Sequence, residues 1–289
     1  MMMESLNIQW FPGHMAKARR MMEENLSSVD ALCEVLDARI PRASRNPEID
    51  SLAKDKPRLI LLNRADLADP TMTKQWGEYY SSRGFVVLEM DARSGKGVNR
   101  FAPAVRDLMK DRIRSWEAKG QIGRKLRVMI AGIPNVGKST LINQLAGRKA
   151  ANVSDRPGVT RGKQWISIDA GLELLDTPGI LWPKFEDPET GELLAVTNAI
   201  RAEIIDREAL GANFLLRLCS LYPEAVKTRY KTESVTGKNG YELLEEAAKK
   251  RGFLLAGGEY DRERMANTVL TEYQAGKLGR MTLEKPEND

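Results

Sequence analysis

A mostly parallel α/β sheet with helices packed on it, followed by a small all-α domain, is the fold class that this sequence of 289 residues predicts. Three observations carry it. Over residues 1–190, short runs of branched apolar residues alternate with stretches of helical period; after about residue 190 the strand pattern stops; residues 191–289 then read as helices punctuated by Gly and Pro.

The first four strands are DALCEVLD, PRLILLN, GFVVLEM and KLRVMIAG, each a near-continuous apolar run of the kind that is buried on both faces of a parallel sheet. Amphipathic stretches such as residues 97–116 separate them. QWISID and LELLD, joined by Ala170-Gly171, predict an antiparallel hairpin added to the sheet. Beyond it, NAIRAEIIDREALGANFLLRLCSLYP, GYELLEEAAKKRG and DRERMANTVLTEYQAGKLG have helical period, and residues 284–289 read as a frayed tail.

Composition narrows the class. With 42% hydrophobic and 29% charged residues, no apolar run approaches the roughly 20 residues of a membrane-spanning helix, and the first residues lack the pattern of a secretion signal. A cytoplasmic protein without a membrane partner is expected, with a monomer as the working expectation. Cys33 and Cys219 belong to no Cys-x-x-Cys or Cys/His cluster, so both read as buried apolar side chains rather than as a disulfide or zinc site. The net charge of +5 is unevenly spread: residues 106–127 carry 8 basic and 3 acidic side chains, whereas residues 201–289 carry 15 of each.

The chemistry begins at GIPNVGKS, residues 132–139, which follows the strand LRVMIAG and precedes the helical STLINQLAG. That context makes a G-x-x-x-x-G-K-S match a phosphate loop, whose backbone N–H groups face a triphosphate at a helix N-terminus. Asn135, Val136, Gly137, Lys138, Ser139 and Thr140 are the expected phosphate contacts, with Lys138 on the outer phosphates and Ser139 on Mg²⁺. LLDTPGI places Asp176 at the end of an apolar strand, where it can hold the magnesium shell, and lets Gly179 offer its N–H to the terminal phosphate. Between them Thr160, in RPGVTRGKQW, is the candidate switch hydroxyl for Mg²⁺ and the γ-phosphate.

LLNRADL, residues 61–67, resembles the N-K-x-D motif that reads guanine, with Arg64 in place of the lysine. Asn63, Arg64 and Asp66 are therefore candidate base-side residues: a carboxylate at 66 accepts two hydrogen bonds from guanine that adenine cannot supply, which argues for GTP as substrate. DARSGKG, with Asp91, Ala92 and Arg93, resembles the second base-side loop. Both come before the phosphate loop, whereas ordinary GTPases carry them after it. The order is circularly permuted, which a compact domain with neighbouring termini tolerates.

The permuted order, together with DARIPRASRNP at residues 37–47 and FPGHMAKA at residues 11–18, closely resembles the ribosome biogenesis GTPase A (YlqF) family over essentially the whole chain. The resemblance implies a permuted GTPase domain over residues 1–190, a helical RNA-binding domain over residues 191–289, and a late role in maturing the large ribosomal subunit. The expected partners are the large-subunit precursor, its rRNA and its ribosomal proteins. Ordinary GTPases orient the attacking water with a glutamine after D-x-x-G; here that position is Ile180, which cannot do so. The resemblance points to His14, the only histidine, as the replacement; an RNA contact and a turn cap remain as its other readings. Asn135, within GIPNVGKS, resembles the residue that ligates K⁺ in cation-dependent GTPases, beside the plainer reading of a loop-shaping hydrogen bond. For RNA, Arg19, Arg20, Lys227, Arg229 and Lys231 are candidates; PEAVKTRYK could stack bases on its tyrosines or bury them in a core. Two functions follow: a GTPase whose hydrolysis the preribosome stimulates, or a scaffold in which GTP binding alone drives placement on rRNA.

Overall fold

Every position of β1 (Ala31–Asp37, ALCEVLD) is buried, as a strand with a parallel neighbour on each side requires. Those neighbours are β2 (Arg58–Asn63) and β4 (Leu126–Ala131). Beyond them lie β3 (Val86–Glu89) beside β2 and β6 (Leu172–Asp176) beside β4, both parallel, and β5 (Trp165–Asp169) closes the far edge as the antiparallel partner of β6. The sheet order is β3-β2-β1-β4-β6-β5. All six expected strands are present, and the expected hairpin is β5–β6.

The computed structural model describes residues 6, 8, 13–53, 56–147, 165–200, 205–232 and 237–286, and the chain divides into two units. One comprises Phe11–Pro183 with Glu284–Asp289; the other comprises Met1–Trp10 with Lys184–Leu283.

The sheet unit carries α1 (Gly13–Leu26), α2 (Pro47–Leu52), α3 (Pro70–Ser82), α4 (Phe101–Leu108), α5 (Lys110–Ala118) and α6 (Lys138–Ala146). Helix α1 buries Met15, Ala18, Met22 and Leu26 along one stripe; Ala18, Met22 and Leu26 share a core cluster with Leu32, Ile49, Met129, Leu175 and Ile180. A second cluster joins Leu36, Ile60 and Leu62 to Trp76 and Tyr80 of α3. Helices α2 and α3 begin alike, with Asn46 or Asp69 accepting an N–H of the first turn and Pro at the first helical position. The stretch at residues 97–116 is interrupted: a short 3₁₀ turn, Val98–Arg100, leads into α4, and the chain breaks at Met109 before α5.

The helical unit contains α7 (Pro188–Val196), α8 (Arg207–Leu221), α9 (Pro223–Tyr230), α10 (Gly240–Arg251) and α11 (Arg262–Gln274). Nine residues of α8, from Ala209 to Cys219, are buried, so it forms the unit's centre, with α10 and α11 packed on it. Both cysteines are free and buried. No helix among the described residues is long and apolar enough to cross a membrane.

The first residue of the expected frayed tail departs from expectation, and residues 287–289 lie outside the described residues. Glu284 is 5% exposed rather than frayed: its carboxylate accepts from the backbone N–H of Arg42 (2.8 Å) and Ala43 (3.1 Å), and its carbonyl from Trp76 Nε1 (3.2 Å). A carboxylate bonded to main-chain donors 241 and 242 residues away leaves no local mark in the sequence.

Candidate nucleotide site

Five parallel strands end on the same side of the sheet, and the motifs end with them. Asn63 terminates β2, Asp91 follows β3, the phosphate loop follows β4 and Asp176 terminates β6, with Asp37 closing β1 between them. Sheet order runs outward in both directions from β1 and β4, so a crevice at the strands' carboxyl ends is where this architecture binds ligands. The base-side motifs lie on the β2–β3 flank and the phosphate motifs on the β4–β6 flank.

Asn63 joins the flanks. It is 3% exposed, its Nδ2 donates to the Val136 carbonyl in the phosphate loop (2.8 Å), and its Oδ1 accepts from Ala92 N (2.9 Å). Asp91 folds its own loop by accepting from Arg93 N (2.8 Å). Burial pushes its carboxyl upward, but hydrogen bonds from Ser94 and Arg93 outweigh this and leave it below the usual range. Gln144 of α6 donates to the Arg93 carbonyl (3.2 Å). Asp66 stands exposed, open to a ligand.

The phosphate loop is shaped by close approach. Gly137 caps α6 at φ 103°, and any Cβ there would strike the Asn63 amide; a Cβ at Gly179 would lie 2.6 Å from Pro134 N and Cα. Lys138, 7% exposed, turns its Nζ onto the carbonyls of Gly132 (3.0 Å) and Ile133 (2.8 Å). Burial pushes the lysine down to about 8, against the pull of Asp176; burial likewise raises Asp176, against Lys138 and the Thr177 N–H. Asp176 Oδ1 is buried without a hydrogen-bond partner. Ser139 and Thr140 are exposed at the start of α6. No group of three His, Cys, Asp or Glu side chains among the described residues could hold a metal. A cation here would draw on Ser139, the bare Asp176 oxygen and phosphate oxygens, and Mg²⁺ suits that donor set because it keeps water and phosphate in its shell.

Asp37, Arg39 and Asn46, outside the expected set, complete the arrangement together with Arg64 and Asn135. Asp37 accepts from Arg39 Nε (2.9 Å) and Nη2 (2.8 Å) and from Arg64 Nη1 (3.2 Å). Burial raises its carboxyl, and the two guanidinium groups more than reverse this, holding it below the ordinary value. Arg64, at φ 61°, donates through Nη2 to the carbonyl of Asn135, itself at φ 56°. Arg64 thus bonds the phosphate loop directly. Asn46 donates to the Ile180 carbonyl (3.3 Å), just after the Asp176–Gly179 turn. Asp37, Arg39 and Asn46 all lie in DARIPRASRNP, so the stretch was visible in the sequence while the partners of its side chains were not.

His14 lies in the first turn of α1, whose apolar stripe shares a cluster with Ile180, while its side chain lies outside the described residues. Thr160 lies wholly outside them. Arg19 pairs with Glu23 (3.2 Å) and Glu48 (3.3 Å), and Arg20 is exposed. Lys227 pairs with Glu224 at the surface (2.8 Å). Arg229 Nε (3.0 Å) and the Tyr230 hydroxyl (3.0 Å) both donate to Glu272, and Tyr230 is 1% exposed, so that ring is core and cannot stack on a base. Lys231 ends α9 in the left-handed conformation. Arg229, Lys231, Lys250, Arg251 and Lys277 line one cavity of about 810 Å³ in the helical unit.

Residues 127–233 match the family described as 50S ribosome-binding GTPase, a span that starts at β4 and omits Asn63–Asp66. Over 282 residues the chain is 46% identical to the ribosome biogenesis GTPase A of Priestia megaterium, covering 97% of this chain and 98% of that one. It belongs to the ribosome biogenesis GTPase A family. The member from Thermotoga maritima is 34% identical over 281 residues, covering 97% of this chain and 95% of that one. The GNP-bound crystal structure of YlqF from T. maritima matches with a TM-score of 0.66 at 31% identity, covering 94% of this chain and all of that one. As a member of this family the chain binds and hydrolyses GTP in the service of ribosome biogenesis.

Proposed function

We propose that this protein hydrolyses GTP to drive a late step in assembly of the large ribosomal subunit, with hydrolysis stimulated by the precursor particle. The observation that carries the reading is the convergence of both base-side and both phosphate-side motifs on one end of the sheet, tied together by Asn63. Guanine is held by Asp66, with Asn63, Arg64 and the Asp91–Arg93 loop shaping its seat. Gly137, Val136 and Thr140 line the phosphates; Lys138 leaves the carbonyls of Gly132 and Ile133 for the outer phosphates, and the Gly179 N–H meets the γ-phosphate. Ser139, Thr160 and Asp176 would hold Mg²⁺, which when bound would neutralise charge on the phosphates. Asn135 holds K⁺.

Ile180 is 1% exposed and apolar, so water must be oriented from elsewhere. The family resemblance assigns this to His14, a reading supported by the packing of Ala18, Met22 and Leu26 of α1 in one cluster with Ile180. Water attacks the γ-phosphorus, the bond to the β-phosphate oxygen breaks, and GDP and phosphate leave. For rRNA phosphates, the candidates are the basic cavity around Arg229, Lys231 and Lys250, with Lys227, in the helical unit and, separately, Arg19 and Arg20 in the sheet unit, in a cytoplasmic setting.

Multiple-turnover GTPase assays with purified large subunits, with and without K⁺, test this. Stimulation on the order of a thousandfold by the particle is expected, and it should collapse in His14→Ala. Wild-type hydrolysis by His14→Ala on the particle overturns the assignment of His14. Normal subunit maturation by a variant that binds but does not hydrolyse GTP would favour the scaffold reading instead.

A further inference from the structure

The motif DARIPRASRNP has no task in the scheme above, yet its backbone stands between the chain's end and the phosphate loop. Ser44 Oγ accepts from Asp37 N (3.0 Å) and donates to the Ile40 carbonyl (2.7 Å), folding residues 37–44 into one knot; Ile40, Ala43 and Ser44 are at most 2% exposed. Tyr80 fastens the knot by donating its hydroxyl to the Pro41 carbonyl (3.0 Å). On one side, the Asp37 carboxylate holds the Arg64 guanidinium that bonds the Asn135 carbonyl. On the other, Glu284 accepts from the N–H groups of Arg42 and Ala43, pairs with Arg42 Nε (3.6 Å), and is pinned through its carbonyl by Trp76. These bonds lie within one unit of the structure.

We propose that Glu284 is a positioning residue for the nucleotide site: its carboxylate holds the 40–44 loop, the loop holds Asp37, and Asp37 sets the Arg64 clamp on the phosphate loop. The physical basis is that a buried carboxylate is the loop's acceptor for two adjacent main-chain donors; without it those donors turn toward water and the loop relaxes. A relaxed loop frees the Asp37 carboxylate to follow Arg39 alone, and Arg64 loses the anchor that fixes its direction. Because Glu284 directly follows the helical unit in the chain, events that pull on the tail would be felt as weaker retention of nucleotide.

The proposal rests on the nucleotide placement given above, and a double-mutant cycle separates the two. Release of a fluorescent GDP analogue from the full chain is measured by stopped flow in Glu284→Ala, Glu284→Gln, Arg64→Ala and the Arg64→Ala/Glu284→Ala pair. Release should quicken about tenfold in Glu284→Ala and about threefold in Glu284→Gln, which keeps one acceptor oxygen, with kcat on saturated enzyme unchanged. In the Arg64→Ala background, Glu284→Ala should add less than about twofold, since the path is already cut. If the analogue does not bind the wild-type chain, the nucleotide placement is at fault; if it binds and Arg64→Ala leaves its release untouched, the clamp and with it the positioning role are overturned. If Arg64→Ala quickens release while Glu284→Ala does not, or the two effects multiply, the positioning role is overturned. A purely structural Glu284 would lower the melting temperature and leave release unaltered. Should Glu284→Ala fail to fold, the isosteric Glu284→Gln decides by the same criteria.

Discussion

The two flanks of the nucleotide crevice differ in how complete they are. On the base flank, Asn63 uses both ends of its amide within the protein and Asp91 caps its own loop. On the phosphate flank, Asp176 Oδ1 is buried with no partner, and Lys138 is folded back onto two carbonyls while burial works against its charge. One side is built before the ligand arrives. The other carries buried charge that only an anion and a cation together would satisfy, so its native geometry is a cost until nucleotide binds.

The sharpest way to break this contrast is at the joint between loop and helix. Gly137→Ala forces a Cβ into the Asn63 amide at a backbone angle of 103°, which L residues rarely adopt. Nucleotide affinity should fall by at least about a thousandfold, measured by equilibrium titration with a fluorescent GTP analogue, because the substitution disturbs both flanks at once. Asp176→Asn comes next. It should slow hydrolysis about a hundredfold by weakening the metal shell. The ligand-free protein should nevertheless melt no lower than wild type, since a neutral amide replaces a carboxylate whose Oδ1 is buried without a hydrogen-bond partner. A clear loss of ligand-free stability would mean that the carboxylate is satisfied without ligand and the contrast is false.

Asn63→Ala tests the bridge itself. It removes the acceptor for Ala92 N and the donor to Val136 O, both buried, for a loss of about 2 to 3 kcal/mol of stability by chemical denaturation. Unlike Asp176→Asn, it should destabilise the protein with and without nucleotide.

How far the sequence foretold this arrangement depends on the range of the interactions. All six strands were legible because apolar runs bounded by turns report burial locally, and the phosphate loop was legible because its spacing sits between a strand and a helix. Helices α2, α3 and α7 were not picked out, although Asn46-Pro47, Asp69-Pro70 and Asp187-Pro188 each spell an N-cap followed by Pro. The Arg64–Asn135 bond could not be read, since it needs two residues 71 apart, both at positive φ. The same holds for Tyr230: helical period allowed its ring to be inside or outside, and Glu272, 42 residues on, is what fixes it inside.

The smallest predicted effect lies on β1, between the flanks. Glu34, 1% exposed, accepts from Asn46 N (3.1 Å), the same residue whose side chain reaches the Ile180 carbonyl. Burial pushes its carboxyl up to about 7, opposed by Arg45 and Arg58 and by the Asn46 N–H. A carboxyl raised on folding binds its proton more tightly in the native state than in the unfolded chain. Its contribution to stability is therefore whole below about pH 4.5 and is lost as pH rises toward 7. The loss should be seen as a falling denaturation midpoint between pH 5 and pH 7 on top of the other groups. Glu34→Gln keeps an acceptor for Asn46 and cannot titrate, so the difference between variant and wild type should itself vary with pH across that window. A difference that is flat with pH would show that Arg45 and Arg58 keep Glu34 ionised throughout, and that β1 carries an ordinary buried ion pair between a finished flank and an unfinished one.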